Sequence, residues 1–126
     1  MITRSVDAQD GIIVVVSIGV ATRADIDTHY DELRDMIARI RAAGDPVRVL
    51  SDQTQAMRLD DATNQYIKSQ IERTFRAGDR VALLMATTND KMYVRSILGT
   101  AEYGVFNSRI AAEMWLMEPH LQPPSG

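Results

Sequence analysis

The run Ile12-Ile13-Val14-Val15-Val16 lies between Asp10-Gly11 and a long amphipathic segment that stops at Gly44-Asp45-Pro46, and it constrains the fold more than any other part of the chain. A strand with one wet face alternates apolar and polar residues. Here both parities are apolar, so both faces are expected to be buried, as in an inner strand of an α/β sheet. Asp10-Gly11 suits the positive φ angles of a tight hairpin turn, and a first strand from Ile2 to Ala8 is expected to pair antiparallel with this run.

Periodicity supplies the rest of the architecture. Ile26, Tyr30, Leu33, Ile37 and Ile40 recur at spacings of three and four, predicting a helix over Ala24 to Ala43, with acids early and Arg39 and Arg41 late to match the helix dipole. Val47 to Leu50 reads as a short strand, followed by a polar stretch from Ser51 to Arg58. A second helix is expected from Asp60 to Ala77, with the stripe Ile67, Ile71 and Phe75 and a stop at Gly78. Arg80 to Ala86 reads as a buried strand, and Thr87-Thr88-Asn89-Asp90 as a cap for a third helix carrying Met92, Ile97 and Leu98 toward Gly99. Tyr103 to Phe106 is a last strand. Asn107-Ser108 then caps a helix whose apolar face is expected to hold Ile110, Ala111, Met114, Trp115 and Met117. The fold class expected is a single α/β domain over residues 1–120, with a five-stranded mixed sheet and a frayed tail over residues 121–126.

At 126 residues the chain suffices for one core. The absence of cysteine excludes disulfides, thiolate metal sites and thiol nucleophiles, and fits a reducing compartment. The first residues lack the basic start and apolar core of a signal peptide, and no apolar run reaches the ~20 residues of a membrane span, so a cytoplasmic protein is expected. A net charge of -3 with intermingled signs argues against nucleic-acid binding, which needs clustered cations.

Right-handed crossovers between sequentially ordered parallel strands place every crossover helix on one side of the sheet. The apolar parities of Ile12–Val16 and Val81–Met85 on the other side then need a cover. A homodimer is the expected cover, and the alternative is that the last helix crosses to that side.

The element order and the closing residues Val105-Phe106-Asn107-Ser108 and Ala111-Ala112-Glu113-Met114-Trp115-Leu116 resemble the STAS-like group, and more narrowly the bacterial SpoIIAA-like proteins, from about Gly11 to Leu116. The resemblance implies a βα superhelix without known enzymatic activity, acting through protein contacts or binding a small, lipid-like molecule. CRAL-TRIO lipid-binding domains are similar in fold. Anti-sigma-factor antagonists of this group carry a phosphorylatable serine in a Ser-Ser-Gly-like stretch after the third strand, where this chain has Asp60-Asp61-Ala62-Thr63. A serine phospho-switch is therefore not expected, and Thr63 and Thr54 are the remaining hydroxyls that modification could use.

Ligands of open α/β sheets sit beyond the carboxyl ends of the strands. That rim gathers Asp52, Thr54, Thr87, Asn89, Asp90 and Lys91 as candidate ligand or partner contacts, although capping and turn formation are the ordinary roles of such residues. Met85, Met92, Met114, Trp115 and Met117 are candidates for an adaptable apolar pocket, with core packing as their ordinary role. His29 borders the first helix's stripe, with Glu32 three residues on, which is too few ligands for a metal site. No catalytic residue, metal or cofactor is expected. The functional expectation is a non-enzymatic regulatory or protein-interaction module, with a solid core beneath a polar rim. The alternative is a carrier or sensor of a small apolar ligand, marked by an apolar cavity; third is an enzyme, marked by a cleft with strongly shifted titrating groups.

Overall fold

The computed structural model describes residues 1–98 and 103–118. The expected end of the third helix at Gly99 and the expected tail over residues 121–126 lie outside the described residues. The elements are β1 (Ile2–Val6), β2 (Ile13–Gly19), α1 (Arg23–Ala42), β3 (Arg48–Ala56), α2 (Asp61–Thr74), β4 (Arg80–Leu84), α3 (Thr88–Leu98), β5 (Tyr103–Phe106) and α4 (Arg109–Met117). They build a 5-stranded sheet in sequential order, antiparallel between β1 and β2 and parallel thereafter. The α/β class and the mixed sheet are those the sequence patterns predict. No described helix is long and apolar enough to cross a membrane.

Two departures concern the strands. The β1–β2 connection is wider than a two-residue turn: the Asp7 amide donates to the Ile12 carbonyl at 2.9 Å, and β1 ends at Val6 rather than Ala8. The Asp7 carboxylate takes the Gln9 amide at 2.8 Å, which closes the loop locally, and Gly11 supplies the positive φ of 73°. Strand β3 runs on to Ala56, through residues whose polarity reads as a loop, because β2 itself continues to Gly19 and pairs with β3 as far as Ala56. A register shift lies between Val16 and Ile18, so Gln53 and Thr54 together oppose Ser17, a β-bulge that bends the ladder there.

The two sides of the sheet are packed differently. On one side Ile13, Val15, Val49 and Val81 meet Ile26, Leu33 and Ile37 of α1 and Ile71 of α2, with Leu98 of α3 at the margin. On the other side Leu50, Ala82, Leu84 and Phe106 meet Ala112, Trp115 and Leu116 of α4. The three crossover helices thus share one side, as the handedness rule requires, while α4, which follows the last strand, folds back under the other. The cover that a homodimer was expected to provide is this helix. Val14 packs half-buried against this cluster and Val16 is half-buried further along β2, with the exposed Ser5 and Thr3 of β1 paired beside them.

The expected apolar face of α4 needs correction. Ala112, Trp115 and Leu116 point inward, whereas Ile110, Met114 and Met117 are exposed. The broad hydrophobic arc held two stripes, and the sheet is wide enough for one. Met92 likewise turns to solvent, and Tyr93, Val94, Ile97 and Leu98 form the inner side of α3.

Candidate functional site

The core on the side of α1, α2 and α3 gives way to a cleft at the carboxyl-terminal end of the strands. A cavity of about 210 Å³ lies between those helices and the carboxyl-terminal halves of β2, β3 and β4. Its walls are mainly aliphatic, with Ile26 and Ile71 deep inside and Leu83, Val94 and Ile97 flanking, and exposed Met57 and Arg58 mark its mouth. A shallower hollow of about 290 Å³ beside Phe75 and Tyr103 is bordered by the exposed Glu72 and Arg76 and gathers fewer polar groups aimed inward.

Polar side chains enter the cleft beneath α1, α2 and α3 from three elements. Ser17 is the inward residue of β2 where the apolar alternation breaks, and it is 9% exposed. The bulge turns Gln53 toward it: the Gln53 amide donates to Ser17 Oγ at 3.2 Å and to Ser51 Oγ at 2.7 Å. From α1 come His29 and Tyr30, both buried, with ring centroids 4.7 Å apart in an edge-on arrangement.

The imidazole is held from behind. Arg4 of β1 donates to His29 Nδ1 at 3.0 Å and also pairs with Glu32 one helical turn on. Because a guanidinium can only donate, Nδ1 must accept, so the ring is neutral and its proton sits on Nε2. Burial, and secondarily the Arg4 charge, lowers the His29 pKa to about 4. Burial also pushes the Tyr30 phenol well above its ordinary value. Among the described residues His29 Nε2–H, Tyr30 Oη and the Ser17 hydroxyl proton have no hydrogen-bond acceptor, although all three residues line the cleft.

The mouth is more polar. The Arg58 guanidinium lies 4.1 Å over the Tyr93 ring and donates to Asp90 at 3.2 Å, and Asn64 donates to Tyr93 Oη at 2.8 Å. Thr87 caps α3 by accepting from the Asp90 amide at 3.1 Å. Asn107 ties this corner to the sheet through the carbonyls of Met85 and Thr87, at 3.0 and 2.9 Å.

The sheet divides the rim predicted from sequence. Asp90 borders the cleft, with Arg58 rather than the adjacent Lys91 as its ion-pair partner, and Asn89 is exposed. Asp52 pairs in register with Val16 and Leu84, so its side chain projects on the α4 side. There it is satisfied by Thr54, whose amide and hydroxyl donate to it at 2.9 and 2.6 Å. The predicted methionine pocket also separates: Met85 lines the cleft, Met92, Met114 and Met117 face solvent, and Trp115 is packed on the opposite side. The polar residues that do converge, Ser17, Gln53 and Tyr30, were missed. A serine on the buried parity of an otherwise aliphatic strand was the available signal for the first. For Gln53 the signal lay in the β2 pairing, which composition does not reveal. Among the described residues no group of three or more His, Asp or Glu could hold a metal ion.

No protein-family model and no curated protein matches this chain. Among solved structures, the chain is similar to the crystal structure of an uncharacterized protein from Shewanella loihica PV-4, of the DUF3478 family with a SpoIIAA-like fold. The two are 18% identical, 92% of each chain is covered, and the TM-score is 0.68. Likeness at that identity speaks to fold, and the fold of this chain is SpoIIAA-like.

Proposed function

We propose that this SpoIIAA-like domain is a non-catalytic binding module that takes a small, mostly apolar ligand into the cleft between α1, α2, α3 and the sheet. The cleft itself carries the reading: a hollow of about 210 Å³ with aliphatic walls and a few convergent polar groups whose hydrogen bonds are unspent. Unoccupied apolar space in a core costs stability, roughly 24 cal/mol per Å³ in cavity-forming mutants, and a bound ligand would restore the lost contacts.

His29 lacks the surroundings of a catalytic base. A general base is oriented and made more basic by a carboxylate on its second nitrogen, whereas here that nitrogen faces a guanidinium, and the ring is a poor proton acceptor at neutral pH. We place the regulatory protein-contact reading second, because it leaned on a solid core beneath a gathered polar rim. Location in the cytoplasm remains part of the proposal.

The test is titration of the ¹⁵N-labelled protein with ethylbenzene. Amide shifts at Ile26, Ile71, Leu83 and Val94 are expected, with no comparable shifts around Trp115, and Val94→Phe should abolish them by filling the cleft. Shifts scattered over the surface, or none with ethylbenzene or with its oxygen-bearing analogues, would refute the reading.

A further inference from the structure

The cleft's polar groups are not evenly mixed. Beside the Gln53 carboxamide, three of the deep ones carry protons that find no acceptor among the described residues. His29 presents Nε2–H, because Arg4 occupies the opposite nitrogen. Tyr30 Oη has no partner among the described residues. Ser17 accepts from Gln53 and therefore keeps its own hydroxyl proton. All three belong to residues no more than 9% exposed. Neither His29 Nε2 nor Tyr30 Oη is sealed from solvent, and all three residues line the open cleft, where a ligand or water can accept from them; a ligand that displaces water there must offer an acceptor or leave the donor unpaired at a cost.

Two features place these donors at one end. Ile2 and Arg4 of β1 pair with Ser17 and Val15 of β2, so the Arg4–His29 contact sets the imidazole over the Ser17 end of the cleft. The Tyr30 ring lies against it. The aliphatic wall from Ile71, Leu83, Val94 and Ile97 provides the remaining lining. An apolar cavity of ~150 Å³ admits benzene, so about 210 Å³ admits one ring with a short substituent, or an acyl chain of similar bulk.

We infer that the ligand bears a hydrogen-bond-accepting oxygen, a carbonyl or a carboxylate, on a single ring or short acyl chain, and that His29 Nε2–H is its principal donor. This rests on the cleft being a ligand site and adds which chemistry the site selects. Arg4 and Glu32 act as positioning residues, since they fix the tautomer without touching the ligand. Lys68 lines the same cleft, and its ammonium would favour the carboxylate form.

Three size-matched probes separate the outcomes: ethylbenzene, without an acceptor, acetophenone, with a neutral one, and benzoate, with an anionic one. On the wild-type chain at pH 7.5, acetophenone or benzoate should bind about five- to tenfold more tightly than ethylbenzene, the worth of one buried hydrogen bond. The preferred oxygen probe identifies the source of the acceptor. His29→Phe keeps the bulk and removes the donor, so the advantage should vanish while ethylbenzene still binds. His29→Gln, whose amide can place an N–H near Nε2, should retain most of it. Should His29→Phe fail to fold, the wild-type imidazole decides: its Nε2 resonance should move with the preferred oxygen probe and not with ethylbenzene. Binding of ethylbenzene with no preference for either oxygen probe would overturn the inference and leave the cleft reading standing, as would a preference that survives in folded His29→Phe. Failure of all three probes to bind would overturn the cleft reading and this inference with it.

Discussion

The two sides of the sheet are both apolar and both carry a packed cluster, yet only one of them also keeps a cleft. On the α4 side, Trp115 and Leu116 come down onto Ala82 and Gly104, and the small residues beneath let the large ones approach. On the other side, three helices bridge strands at fixed spacing, and the space between α1, α2 and α3 is closed only in part, around polar side chains. Arg80 of β4 holds the last turn of α4 through the Trp115 and Glu118 carbonyls, at 2.7 and 2.9 Å, whereas a crossover helix is placed by the strands it joins and leaves gaps where its side chains are too short. The comparison teaches that the docked α4 serves stability, while the bridged side can keep a cavity.

The sharpest way to break that comparison is Trp115→Ala. It should cost about 3 to 5 kcal/mol in urea melts, as for other buried aromatic truncations, without altering ethylbenzene binding in the native baseline. A lost ethylbenzene site would show that the two sides are not independent.

The next effect is in pH. In the native state His29 stays neutral down to about pH 4, whereas in the unfolded chain it takes up a proton below about 6.5. Between those values the unfolded state binds more protons, so stability should rise with pH across that window and fall as pH is lowered. At roughly 1.4 kcal/mol per pKa unit, the span is at most about 3 kcal/mol. Melts of His29→Gln should lack this component, and an unchanged slope would mean that the ring is not buried neutral.

Gly104→Ala probes the filled side more gently. An added Cβ would meet Phe106 at 2.6 Å and Trp115 at 3.2 Å, so overpacking of about 1 to 3 kcal/mol is expected. A neutral result would reveal slack beneath the indole. The smallest effect expected is that of Asp52→Ala. It removes the acceptor of the two Thr54 bonds, at a cost of about 1 kcal/mol by denaturant melt. Because it projects on the α4 side, probe affinity should not change. A weakened probe would return Asp52 to the binding site.

How much was legible follows from which forces act locally. Helix α1 shows in its 3.6-residue stripe, and in the Thr22 and Asp25 side chains that form a capping box with each other's backbone amides, all within one segment. The sequential order and single-sided crossovers follow from chain handedness. The closing residues carried enough of the pattern to suggest the SpoIIAA-like fold that the solved structure shares.

Other features depended on partners distant in sequence. The polar stretch of β3 is a strand because β2 pairs with it, and Gln53 faces Ser17 because of the bulge between them. Either apolar stripe of α4 could have been the buried one, and the sheet selected Ala112, Trp115 and Leu116. His29 looked like a stripe-border residue until Arg4, 25 positions away, came to rest on its Nδ1. Sequence determined the elements, their order and the side taken by the crossover helices, because periodicity, capping and handedness are short-range. Only tertiary structure decided which polar groups meet and where space is left, because packing and cross-strand pairing join residues that the chain itself keeps apart.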